Sequence, residues 1–109
     1  MNIFEIYLKK IKDLIIALSK EDLIQIPKDL NSINVDIPPE QFDSDISTNV
    51  AMVLSKLNKT NPLELAKIIE NNLKKNDTNI DKIEIVKPGF INIKFKSLFW
   101  NDFLKEIIN

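Results

Sequence analysis

The sequence predicts an α+β domain, with a small antiparallel β-sheet of three or four strands and about four helices packed on one face. Two stretches of period-two alternation flank a Pro-Gly pair at positions 88–89, which is typical of a β-hairpin. Four other segments space their apolar residues by three or four, the period of an amphipathic helix. Because each predicted strand has only one apolar face, we expect the helices on that face.

The helices are predicted from this apolar spacing and from the residues that begin them. Their approximate ranges are 3–18, 47–58, 62–75 and 98–107. Asn61 is a predicted N-cap, since Pro62 follows at the first helical position and Glu64 lies three residues after the cap. Asp45 or Ser47 is the predicted N-cap of helix 47–58, because both side chains can accept from a free backbone N–H.

The strands are predicted at 33–37, 82–86 and 90–96, and residues 20–32 are ambiguous between a short strand and the tail of a helix. In the hairpin, a three-residue loop at 87–89 pairs Val86 with Phe90 and keeps the isoleucines on one face. A two-residue loop would put Ile85 on the face of Asn92, so the longer loop is predicted. Gly89 is expected to supply a positive φ after Pro88.

The two faces of strand 90–96 differ in their chemistry. One is an ordinary core face, formed by Ile91, Ile93 and Phe95. The other combines an aromatic ring, an amide and lysines, with further lysines on the partner strand and turn: Phe90, Asn92, Lys94, Lys96, Lys82 and Lys87. Aromatic rings stack on unpaired bases and asparagine can form two bonds with adenine, so this face is a candidate nucleic-acid site. A plain exposed face, or a face covered by another helix, remains open on pattern alone.

The composition excludes several other classes of function. The chain has 109 residues, a formal net charge of −1 and a pI of about 5.4, so nucleic-acid binding would depend on a local patch. It has no histidine, no cysteine and one glycine, so the usual catalytic base, thiolate metal ligands and a glycine-rich phosphate loop are missing. Asp43 and Asp45 are the only close carboxylate pair in a loop. We therefore predict no catalytic residue, no metal site and no bound cofactor.

Three segments in order carry a resemblance to a known family. They are 47–54 (Ser-Thr-Asn-Val-Ala-Met-Val-Leu), 61–66 (Asn-Pro-Leu-Glu-Leu-Ala) and 88–92 (Pro-Gly-Phe-Ile-Asn). Their order and spacing over residues 35–95 resemble the N-terminal additional domain of arginyl-tRNA synthetases. Two places depart from the family pattern: Ser44 stands where a glycine is usual, and Pro38-Pro39-Glu40 stands where the family has a Pro-Lys-Asp entry, so a basic contact is missing there.

The resemblance implies an α+β domain that precedes a class I catalytic domain and contacts the elbow of the tRNA. It implies that the aromatic and amide side chains at Phe90 and Asn92 meet a base of the D-loop, often adenine. Nearby phosphates would be held by the lysines of the same face. The expected partners are the tRNA for arginine and the catalytic domain of the same polypeptide, and no membrane.

The resemblance also implies that residues 1–109 are one N-terminal domain of a longer ligase. We expect that protein to be cytoplasmic, since the sequence has no membrane-spanning run and no signal-peptide pattern, and monomeric. The HIGH and KMSKS signatures of class I synthetases are absent from the chain. ATP and arginine would therefore bind the catalytic domain, and this chain alone would not activate arginine. The alternative is an interaction domain whose Phe90 face packs on the rest of a larger protein. A free-standing enzyme is disfavoured by the missing catalytic residue types.

Overall fold

The computed structural model describes residues 2–108, and the side chains of residues 2–106. Its elements are α1 (Ile3–Lys20), β1 (Val35–Asp36), β2 (Ile46–Thr48), α2 (Val50–Ser55), α3 (Pro62–Asn76), β3 (Ile80–Val86), β4 (Phe90–Phe95) and α4 (Ser97–Ile108). The strands form one antiparallel sheet in the order β1-β2-β4-β3. The predicted α+β class, with four helices and a small antiparallel sheet, is confirmed.

The two longest helices begin at side-chain caps. Asn2 Oδ1 accepts from the backbone N–H of Glu5 at 2.9 Å, and Asn61 Oδ1 accepts from Leu63 at 2.8 Å. Pro62 occupies the first position of α3, where its missing N–H leaves no unmet bond. Each helix then turns an apolar stripe of buried side chains toward the sheet: Tyr7, Ile11, Ile15 and Leu18 in α1, and Leu65, Ala66, Ile69 and Leu73 in α3.

The predicted helix 47–58 is wrong at its start, because residues 46–48 form strand β2 and the helix begins only at Val50. Asp45 is accordingly not a helix cap. Its backbone N–H donates to Ile93 at 2.8 Å, and its Oδ2 accepts from the N–H of Phe95 at 2.8 Å. Asp45 thus extends the hydrogen bonding with β4 by one residue before the start of β2. Thr48 Oγ1, rather than Asp45 or Ser47, accepts from the first helical N–H at 3.3 Å.

The ambiguous segment 20–32 contains neither a strand nor a helix beyond the end of α1. The side chain of Asn58 holds it by bonding both backbone groups of Gln25, accepting at 2.7 Å and donating at 2.9 Å. Two hydrogen bonds from one side-chain amide therefore hold this segment in place of a strand partner. The next strand, β1, is limited to Val35 and Asp36, shorter than the predicted 33–37.

The hairpin register agrees with the prediction. Val86 pairs with Phe90, Ile85 with Ile91, Glu84 with Asn92, Ile83 with Ile93, and Lys82 with Lys94. The expected positive φ at Gly89 is wrong, since no described glycine has one. The reason for glycine is space: a Cβ there would lie 2.7 Å from Pro62 Cβ and 3.1 Å from Met52 Cγ. The hairpin turn therefore packs directly on the start of α3.

Aromatic rings join α1, β4 and α4. The ring centres of Tyr7 and Phe95 lie 4.6 Å apart, and those of Phe95 and Phe99 lie 4.7 Å apart. The hydroxyl of Tyr7 donates to Asp77 Oδ2 at 2.7 Å, just after α3 ends. Burial raises the pKa of Tyr7 above its ordinary value, and the bond to Asp77 adds to this effect, so the phenol stays protonated and donating.

Substitutions on opposite sides of β4 test the assignment of its faces. Ile93 is fully buried, so Ile93→Ala is expected to lower the free energy of unfolding by about 2–5 kcal/mol. The neighbouring Lys94→Ala is expected to cost much less, because its ion pair with Asp43 is solvent-exposed. Urea denaturation of both variants measures this difference, and equal losses would reverse the two faces.

Candidate nucleic-acid interface

A row of polar residues crosses the sheet on the face opposite the helices. Asp36 pairs with Ser47, Ser47 with Asn92, and Asn92 with Glu84, so one residue comes from each strand. The adjacent row, which includes Ile91, belongs to the buried helical side. Alternation along each strand therefore separates a polar face from the core face.

This polar face matches neither alternative that the sequence left open, because it is partly covered and the cover is a loop rather than a helix. Asn92 is only 1% exposed and Ser47 is 8% exposed, whereas Phe90 keeps 39% of its surface in solvent. The cover is residues 37–43, called here the covering segment, which follows β1 and carries the buried Pro38. It is a loop, so the helices remain on one side as predicted. The alternation of β4 alone could not show where a distant loop passes.

A small cavity of about 130 Å³ lies between the covering segment and the sheet. Phe42 and Phe90 contribute two aromatic walls, and Asn92 and Ser47 contribute polar side chains from adjacent strands. Among the described residues, the cavity lining includes none from within a helix. The cavity thus combines flat apolar surface with hydrogen-bonding groups, as sites for planar polar ligands do.

Oδ1 of Asn92 is buried and has no hydrogen-bond partner within the described part of the chain. Leaving such an acceptor unpaired costs roughly 1–3 kcal/mol, so native proteins rarely keep one without a use for it. A larger cavity, about 570 Å³, lies beside Phe4, Leu8 and Ile37, but no unpaired buried side-chain atom among residues 2–106 lines it. The smaller cavity is therefore the better candidate site.

Asp43, at the end of the covering segment, pairs with two of the predicted lysines. Lys94 Nζ lies 2.6 Å from Asp43 Oδ1, and Lys82 Nζ lies 3.8 Å from Asp43 Oδ2. The hydrogen bond and charge of Lys94 lower the pKa of Asp43, and the same bond raises the pKa of Lys94. Because Asp43 remains 74% exposed, water weakens this attraction.

The structure brings some of the predicted contact residues together and separates others. Phe90, Asn92, Lys94 and Lys82 occupy neighbouring positions of the hairpin. Lys87 lies in the turn and Lys96 just beyond β4; both are exposed. The ends of the six-residue strand β4 lie roughly 17 Å apart, and Lys87 and Lys96 lie beyond opposite ends, so they would reach different parts of a ligand.

Two residues of the site were missed from the sequence: Phe42 and Asp43 as a partner of the lysines. Phe42 has no periodic context, because it lies between Pro39 and Asp45 in a polar loop. The double proline at 38–39 was the available signal, since it forces an extended, rigid path away from β1. That path brings the loop back over the sheet.

The described residues also limit other kinds of site. Within residues 2–108, no three aspartates or glutamates converge in a way that could hold a metal ion. None of the helices in the same range has the length and apolar character needed to cross a bilayer.

Fold and site together define an α+β module in which the buried amide of Asn92 lies in a cavity beside the exposed ring of Phe90. The sequence profile of the arginyl tRNA synthetase N terminal domain matches residues 5–95, and the chain belongs to this family. The arginine–tRNA ligase of Pelagibacter ubique is 55% identical over 107 residues, which cover 98% of this chain and 18% of that protein. The ligase of Bartonella henselae is 41% identical over 109 residues, again 18% of its length.

A more distant relative shows the same pattern. The arginine–tRNA ligase of Staphylococcus carnosus is 37% identical over 83 residues, which cover 76% of this chain and 15% of that protein. The chain thus spans less than a fifth of the curated relatives it matches. The similarity lies in their N-terminal region.

The pKa of Asp43 reports directly on its pairing with Lys94. In Lys94→Ala this pKa is expected to rise toward the ordinary aspartate value, because the largest lowering contribution is removed. Because the pKa of Asp43 is lower in the folded state than in the unfolded state, the pair stabilises the fold at pH values above the unfolded-state pKa. That stabilisation disappears as the pH falls through the folded-state pKa. Carboxyl-carbon NMR titration measures the shift. Lys96→Ala is the control and should leave Asp43 unchanged.

Proposed function

We propose that this chain is the tRNA-binding N-terminal domain of an arginine–tRNA ligase and that its Phe90 face contacts the D-loop at the tRNA elbow. The observation that carries this proposal is the exposed ring of Phe90 beside the unpaired buried Oδ1 of Asn92 in one cavity. Membership of the synthetase N-terminal family supports tRNA as the ligand class.

The two side chains have complementary roles in this proposal. Phe90 offers a flat apolar surface on which an unstacked base can lie, and such stacking is worth roughly 1–3 kcal/mol per base. Asn92 Oδ1 has no partner among the described residues, and a base with an exocyclic amino group can donate to it. Adenine fits best, because its N6 amino group donates and its N7 accepts from an asparagine amide.

The lysines contribute affinity rather than base selection. Lys82 and Lys94 pair with each other two residues along the hairpin from Asn92, outside the cavity lining, and Lys87 and Lys96 lie near opposite ends of β4. Each has a compact ammonium group that pairs with phosphate without the two-pronged geometry of arginine. With a formal net charge of −1, the domain alone is expected to bind tRNA weakly. Tight binding would need the catalytic domain as well.

The remaining steps belong to the rest of the proposed ligase. Its class I catalytic domain would bind ATP and arginine and transfer arginine to the tRNA, while this domain holds the elbow. The intact protein is proposed to act in the cytoplasm as a monomer. The residues described here bind and orient tRNA in this scheme, and none of them takes part in the chemical step.

A second function has one observation in its favour. Ile37 is 76% exposed at the edge of the same cavity as Phe90, so the two side chains offer apolar surface that another protein domain could cover. In that case the face would pack on the rest of the polypeptide. A titration with tRNA at several salt concentrations distinguishes the two, because phosphate contacts give a negative log–log slope.

Loss of the base contacts should reduce aminoacylation by the full-length ligase. Phe90→Ala is expected to lower kcat/KM by roughly 5- to 150-fold, equivalent to about 1–3 kcal/mol of stacking. Asn92→Ala should weaken the preference for the D-loop adenine by a similar factor. The measurement compares tRNA with and without that base changed. Leu57→Ala is the matched control, because Leu57 is 43% exposed but lies outside the cavity lining.

If both site variants retained wild-type kcat/KM and base preference, the Phe90 face would not recognise a base of the tRNA. The interaction-domain function would then replace tRNA recognition. Thermal unfolding of each variant is needed alongside, because Asn92 is buried and its loss could act through the fold.

The lysines should show a different pattern from Phe90 and Asn92. Lys96→Ala and Lys87→Ala are each expected to weaken binding of all tRNAs equally and to reduce the salt slope by about one. Binding assays with several tRNA sequences, over a range of salt, measure both effects. A change in base preference in either lysine variant would contradict the assignment to phosphates.

A further inference from the structure

Lys82 and Lys94, which pair with each other two residues along the hairpin from Asn92, already contact an anionic side chain. Asp43 accepts from Lys94 at 2.6 Å and lies 3.8 Å from Lys82, so one carboxylate bridges positions that are directly paired across β3 and β4. This carboxylate comes from the covering segment, which is remote from the hairpin in sequence. It occupies the place where a phosphate of the proposed ligand would bind.

We infer that Asp43 is an exchangeable substitute for phosphate: a phosphate of the bound nucleic acid takes over Lys82 and Lys94 and releases the covering segment from the sheet. The inference rests on the proposed function and adds a step to it. Phosphate contact at the lysines and access to Asn92 become one coupled event, because the same segment carries Asp43 and covers the amide.

The exchange is physically easy. Asp43 is 74% exposed, and its partners Lys82 and Lys94 are 64% and 32% exposed, so water weakens both attractions and the closer pair with Lys94 is the one that a phosphate must replace. A phosphodiester carries the same single charge as a carboxylate, and a nucleic acid brings several such groups together with the counterions that it releases on binding. Phosphate can therefore displace the carboxylate, although one aspartate has the advantage of being tethered.

The position of the segment explains why the exchange would matter. Phe42 is adjacent to Asp43 and lines the cavity opposite the sheet, while Asn92 Oδ1 beneath is inaccessible to solvent. A base can reach that acceptor only if the covering segment shifts. The segment is fixed at its two ends, by pairing of Asp36 in β1 and by the bonds of Asp45 to β4, so the shift stays local.

Other acidic groups near the lysines do not share this geometry. The charges of Asp45 and Asp81 also act on Lys94, but the Asp45 carboxylate accepts from the backbone of Phe95. Asp81 is exposed, and no ion pair to it occurs within the described part of the chain. Asp81→Asn therefore removes the same charge as Asp43→Asn without breaking the bridge, which makes it the matched control.

The test measures tRNA affinity of the full-length ligase in Asp43→Asn, Lys82→Ala/Lys94→Ala and the triple variant. Asp43→Asn should bind roughly two- to fivefold tighter, the fold-change of an exposed ion pair that no longer competes. The gain should vanish when both lysines are absent. Asp81→Asn should increase tRNA affinity less, and this increase should persist when both lysines are replaced. Unchanged or weaker binding by Asp43→Asn overturns the inference, as does a gain that survives loss of the lysines.

A second ligand separates this inference from the proposed function. Inorganic polyphosphate has phosphates but no bases, so it tests the exchange alone. Tighter polyphosphate binding by Asp43→Asn, with tRNA binding indifferent to Phe90→Ala, would uphold the exchange and reject the base contact. Dependence of tRNA binding on Phe90 and the lysines, with no effect of Asp43→Asn on either ligand, would reject the exchange and leave the proposed function standing.

Discussion

The architecture depends on the pairing of one strand, β4, with a neighbour on each side. β2 and β3 fix its register through Ile46 and Ile83, both of which pair with Ile93. Since successive side chains of a strand point to opposite faces, this register sends Ile91, Ile93 and Phe95 into the core. It sends Phe90, Asn92 and Lys94 to the other side. The core and the candidate site thus share one backbone, and a slip of one residue would exchange them.

The parts of the fold that follow from local chemistry were predictable. The hairpin register could be derived because loop length and the positions of the isoleucines allow one solution, and α3 because Asn61 and Pro62 mark its start. The start of α2 was wrong for a physical reason. Aspartate can accept from a free helix N–H or from a strand N–H, and only the presence of β4 decides that Asp45 does the latter.

The candidate site was predictable only within the β3–β4 hairpin. Period two identified Phe90, Asn92 and Lys94 as residues on one side, yet it could not show that Asn92 would be buried. Burial comes from the covering segment, whose path depends on contacts between residues about fifty positions apart, such as Asp43 and Lys94. Such long-range contacts produce no periodic pattern in the sequence. An amide with an unpaired oxygen at the floor of a cavity also lowers stability, which is common where a residue serves binding rather than folding.

The close packing of Gly89 on Pro62 restricts how the proposed base preference of this domain could change during evolution. The hairpin tip has no room for a side chain, since a Cβ would lie 2.7 Å from the proline ring. Insertions or larger residues at the tip would push the hairpin away from α3 and tilt Phe90 with it. Many binding proteins change their preferences by varying loop length, but the packing at Gly89 prevents this at the hairpin turn. New preferences would have to arise by exchange of side chains on a backbone of constant shape, chiefly at the first and third positions of β4.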